Sequence, residues 1–71
     1  MKKNKREEIT LHGYCQVEVT RGDGLRSVRG FYGAYDLILE LGGNLGDVLD
    51  ISIALNNGEV VRFGSLRVRM I

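Results

Sequence analysis

From Ile9 the chain alternates between apolar and polar positions for twelve residues. Ile9, Leu11, Gly13, Cys15, Val17 and Val19 fall on one side, and Thr10, His12, Tyr14, Gln16, Glu18 and Thr20 on the other. Period two is the pattern of a half-buried strand, because successive side chains point to opposite faces. The run exceeds the usual strand length, so Gly13 is expected to mark a bend or bulge. Arg21-Gly22-Asp23-Gly24 reads as a turn, and Leu25 to Tyr32 as a second strand. Tyr35, Leu37, Leu39 and Leu41 alternate with Asp36, Ile38 and Glu40 and predict a third strand, over residues that are also good helix formers. Gly42-Gly43-Asn44 with Gly46 forms a loop, and Leu49, Ile51, Ile53 and Leu55 predict a fourth strand. Asn57-Gly58 between two such runs is the signal of a type I′ hairpin. The last strand carries Val61 and Phe63 inward. After Gly64-Ser65 the apolar set shifts to Leu66, Val68 and Met70, which predicts a β-bulge. The expectation is an all-β domain over residues 9–71, a small, strongly bent, five-stranded antiparallel barrel behind a flexible basic arm of residues 1–8.

The chain has 71 residues, enough for one small domain. A core of this size rarely supplies more than about 3–5 kcal/mol of net stability, so self-association is the expected support and a homo-oligomer the expected state. The sequence contains no proline, which leaves edge strands without one common blocker of edge-to-edge pairing. One Cys cannot form an internal disulfide, and one Cys with one His cannot complete a four-ligand zinc site. No apolar run approaches the ~20 residues of a membrane helix, and Glu7 and Glu8 interrupt the start where a signal peptide would be apolar. The expected location is cytoplasmic. No cofactor, metal or small-molecule substrate is implied.

Charge changes the picture. The net +1 conceals an acidic stretch, residues 30–59, in which Asp36, Glu40, Asp47, Asp50 and Glu59 occur with no Lys or Arg. Arg21, Arg26 and Arg29 cluster around the first turn, and Arg67 and Arg69 share the polar face of the last strand. If the two groups meet, the five guanidiniums form a patch able to grip phosphates, which makes nucleic acid the candidate partner. If they face the acidic stretch of a neighbouring subunit, they are interface ion pairs instead. His12 shares a face with Tyr14, and His12 or Tyr35 is the candidate for stacking on a base. Cys15 falls on the apolar face, away from His12, and reads as a small buried hydrophobe rather than a nucleophile. Gly22-Asp23-Gly24 lacks the Lys-Ser/Thr and following helix of a phosphate loop. No catalytic residue is assigned.

Two short boxes resemble the Sm/Sm-like (LSm) family. The first is Gly30-Phe31-Tyr32-Gly33-Ala34-Tyr35-Asp36 followed by Leu39 and Leu41. The second is Gly58-Glu59-Val60-Val61-Arg62-Phe63-Gly64 followed by Leu66 and Val68. The resemblance implies a bent Sm/SH3-like barrel that assembles into rings through its fourth and fifth strands and binds single-stranded RNA around the pore. Glu40 stands where the family has a base-binding Asn, and Phe63 where it has an Arg, so the family's own base contacts are missing here. Ile9-Thr10-Leu11-His12-Gly13, and Ile51-Ser52-Ile53-Ala54-Leu55 followed by Gly58-Glu59-Val60-Val61 and Gly64-Ser65-Leu66-Arg67-Val68, are in turn similar to YabP/YqfC-like sporulation proteins. That resemblance implies a structural, assembly role through protein–protein contacts.

Overall fold

The computed structural model describes residues 8–71. The expected arm, residues 1–8, lies outside them except for Glu8. The chain runs β1 (Tyr14–Thr20), β2 (Arg26–Tyr32), α1 (Gly33–Leu41), a short 3-10 turn (Leu45–Asp47), α2 (Val48–Asn56), β3 (Val61–Phe63) and β4 (Leu66–Met70). The four strands form one antiparallel sheet in the order β2-β1-β4-β3, so two hairpins flank a helical pair and β1 and β4 lie in the middle. Both helices pack on one face. Cys15, Val17 and Val19 of β1, Phe31 of β2, Phe63 of β3 and Val68 and Met70 of β4 share one core with Ala34, Leu37, Ile38, Val48 and Leu55 of the helices.

The sheet-rich, antiparallel part of the expectation holds, but the all-β, five-stranded barrel does not. Residues 35–41 and 49–55 are helical, not extended. Their leucine-rich runs satisfy two periods at once. The inward residues of α1 are Ala34, Leu37, Ile38 and Leu41, and those of α2 are Val48, Ile51, Ser52 and Leu55. Both sets follow the i, i+3, i+4, i+7 spacing of a helix stripe, and the tertiary packing selects it over the alternation. Asn57-Gly58 closes a helix instead of a hairpin. Gly58 takes φ +82° and donates to the Leu55 carbonyl, while the Glu59 N–H reaches the Ala54 carbonyl. These are the two bonds of a Schellman cap, which needs the same left-handed glycine as the turn it imitates. Gly64-Ser65 is a two-residue hairpin loop between β3 and β4, not a bulge within one strand. Among the described residues β2 and β3 are the unpaired edges, and the sheet is open. The first Sm-like box, Gly30 to Asp36, spans the end of β2 and the start of α1.

The segment before β1 ties the two layers together. It leaves the sheet at the expected break, Gly13, whose N–H bonds the Thr10 hydroxyl, and then crosses the N-terminus of α1. There the carbonyls of Thr10 and Leu11 accept the Ala34 and Tyr35 N–H groups, two donors a helix start leaves without an internal partner. Asp36 reaches back to accept the Tyr32 N–H at 2.9 Å, placing its charge at the positive end of the helix. Ile9 is buried, and its backbone is held on both sides by Asn56 of α2, which accepts its N–H at 2.8 Å and donates to its carbonyl at 3.0 Å. Gly33 permits this crossing. Its φ is +94°, and any Cβ there would drive into the Leu11 carbonyl.

Gly33→Ala should therefore destabilise the domain by about 3 kcal/mol or more, as strained backbone adds to a clash with main chain. Gly58→Ala, whose φ is similar but whose surroundings are open, should cost only about 1 kcal/mol. Urea denaturation of the two variants checks the order, and equal losses would contradict it.

Candidate nucleic-acid interface

Because β1 alternates, the residues it does not give to the core stand on the uncovered face of the sheet. The strand registers arrange them in rows. Arg26 (β2), Thr20 (β1), Arg67 (β4) and Arg62 (β3) form the row nearest the two hairpin turns. Val28, Glu18 and Arg69 form the next row, Gly30 and Gln16 the third, and Tyr32 and Tyr14 the last. Two residues of strand separate successive rows, so the face measures about 20 Å from the tyrosines to the arginine row.

Electrostatics divides the four arginines of this face. Glu18, with its side chain 20% exposed, accepts from Arg69 Nε at 2.8 Å and faces Arg26 at 3.9 Å. Arg62 and Arg67 are in none of the ion pairs found among the described residues, and they sit directly opposite one another across β3 and β4. Like charges in a cross-strand pair are destabilising. An open depression of about 700 Å³ lies over this end of the sheet, lined by Glu18, Thr20, Arg26, Arg62, Arg67 and Arg69 among others.

The opposite end is aromatic. The Tyr14 and Tyr32 rings lie 5.2 Å apart, tilted by 59°, and are 53% and 68% exposed. Gly30 allows the Tyr14 ring to rest across the sheet, because a side chain there would meet its hydroxyl and ring edge. Two rings held on a sheet and more than half exposed are suited to stacking on flat ligands.

The structure brings together only some of the residues singled out from sequence. Arg26, Arg67 and Arg69 share the open face. Arg21 is in the β1–β2 turn, bonded to Asp23 at 3.0 Å. Arg29 points to the other side of β2, with its guanidinium 5.0 Å from the centre of the Phe31 ring. His12 and Tyr35 stack on each other at 5.3 Å beside the start of α1, away from the arginine row. Cys15 is fully buried in the core. Arg62 and Tyr32 belong to the face and were missed. The signal for Arg62 was its position between the inward Val61 and Phe63, and it becomes readable once Gly64-Ser65 is taken as a hairpin loop. Among the described residues no group of three His, Cys, Asp or Glu could hold a metal ion.

Comparison with family models, curated proteins and solved structures returned no match.

Arg62→Glu would turn the cross-strand repulsion into an ion pair with Arg67. It should raise stability by up to about 1 kcal/mol, read as a higher urea midpoint at unchanged slope. A loss of stability would mean that the two guanidiniums do not oppose one another.

Proposed function

We propose that the protein is a non-catalytic binding module that holds single-stranded nucleic acid, with RNA the foremost candidate, along the uncovered face of its sheet. The observation that carries this is the arrangement on one face of four arginines from three strands and a pair of exposed tyrosines. Guanidiniums engage phosphates through paired N–H donors, while ring faces accept bases of any identity. An open antiparallel sheet bearing exposed aromatics is one established solution for unpaired RNA, whose bases are free to splay onto it. The resemblance of the two boxes to Sm-like proteins implies the same ligand class, although the barrel it implies is not the fold adopted. In this reading the ligand lies on the sheet instead of around a pore, which suits a chain with Glu40 and Phe63 at the two box positions.

A second reading, self-association in the manner of an assembly protein, is favoured by one feature. The β2 edge is seven residues long, and Arg26 to Gly30 are exposed. An unpaired edge of that length, with no proline in it, can template a strand of another copy. The two readings are compatible, since edge pairing would extend the basic face. Among the described residues no helix is long and apolar enough to cross a membrane. A cytoplasmic site of action remains part of the proposal.

Fluorescence titration of a short oligo(U) tests the main reading. Contact with three or four phosphates gives a log K against log salt slope of about −2 to −3. Tyr14→Ala and Tyr32→Ala should each weaken binding by about 1–3 kcal/mol, and Glu18→Gln should strengthen it by removing the one carboxylate on the basic rows. Absence of binding at low salt rejects the reading. Sedimentation that shows only monomer at micromolar concentration rejects the second.

A further inference from the structure

At the end of the sheet the β1–β2 turn and the β3–β4 turn abut, with Gly22 against Ser65: a side chain added at Gly22 would stand 3.4 Å from the Ser65 Cβ. Between them is a recess of about 240 Å³ lined by Gly22, Arg62, Gly64, Ser65 and Arg67. It opens beside the larger depression of the sheet face, and Arg62 and Arg67 line both. The recess is therefore the terminus of the face, on the turn side of the arginine row.

Its chemistry differs from that of the rest of the face. Arg69 and Arg26 have Glu18 as counter-charge, whereas Arg62 and Arg67 oppose each other with no carboxylate partner among the described residues. Two arginines paired across adjacent strands, with a serine beside them, match a dianionic group with three terminal oxygens better than a monoanionic diester with two. Two glycines keep the walls low and leave backbone accessible. A strand that passes over the rows of the face meets the two turns here, where its own chain must end or leave the surface.

We propose that this recess is a phosphomonoester site that captures the phosphorylated end of a single strand lying on the sheet. The inference rests on the face-binding reading and specifies one end of it. Arg62 and Arg67 reach the terminal phosphate from adjacent strands, and the Ser65 hydroxyl donates a further hydrogen bond. The bound dianion also relieves the repulsion between the two arginines, so the site is most stable when occupied.

The test compares a short oligo(U) with a 5′-phosphate, with a 3′-phosphate and with hydroxyls at both ends, titrated against the whole chain by fluorescence anisotropy. Inorganic phosphate is titrated separately. One of the two phosphorylated strands should bind about tenfold tighter than the hydroxyl-ended one, the worth of a charge-assisted hydrogen bond. Arg62→Gln should abolish that preference and lower the affinity of the hydroxyl-ended strand only a few-fold. Ser65→Ala, a milder change in the turn, should reduce the preference and leave hydroxyl-ended binding intact. Equal affinity of all three strands overturns end capture and leaves face binding standing. Tight binding of inorganic phosphate without any preference among strands assigns the recess to free phosphate and overturns it as well. Failure of every strand to bind overturns the face reading together with this one.

Discussion

The alternation of β1 is the constraint on which the molecule depends. One strand, paired on both sides, sends Cys15, Val17 and Val19 into the helices and leaves Tyr14, Gln16, Glu18 and Thr20 facing solvent. A shift of one residue in its register would exchange the two sets and destroy core and surface together. Because β1 borders both β2 and β4, its register also sets theirs. The row that joins Arg26, Thr20, Arg67 and Arg62 exists because three strand pairings agree. Stability and the proposed binding face are thus products of the same hydrogen-bond ladder.

Much of this was legible in the chain, and the failures are instructive. β1, β2 and their connecting turn follow from alternation bounded by glycines. The two helices did not, because Leu37, Leu39 and Leu41, and Leu49, Ile51, Ile53 and Leu55, alternate as a strand would while Leu37, Ile38 and Leu41, and Val48, Ile51 and Leu55, also line a helix stripe. Short apolar runs carry both periods, and packing against the sheet decides between them. The cost of the helical solution is visible on the surface, where Leu39, Leu49 and Ile53 are all more than half exposed. Gly58 illustrates the same ambiguity locally, since a left-handed residue serves a hairpin turn or a helix cap equally well.

The candidate site was half legible for a related reason. Arg67 and Arg69 lie two apart on one strand, and period two alone groups them. Arg26 joins them only through the pairings of β1 with its two neighbours, and Arg29 is lost to the other side because it differs from Arg26 in parity. The Tyr14–Tyr32 pair likewise depends on the β1–β2 register. Surface chemistry assembled across strands is invisible until the order of strands is known. What the face then shows is a conflict left unresolved by the fold: Arg62 and Arg67 repel, and no carboxylate of the described residues pairs with either. A surface that tolerates such an arrangement gives up stability that an anionic ligand can return.

The most direct test of the account is an amide chemical-shift titration of the labelled protein with a short single-stranded RNA. If the strand lies on the uncovered face, perturbations will concentrate along β1, β2, β4 and β3 and around the Gly64-Ser65 loop, with side-chain shifts at Tyr14 and Tyr32 and little change at the outward residues of the helices, Leu39, Leu49 and Ile53. Perturbations centred on those helical residues, with the tyrosines and the arginine row silent, would contradict it.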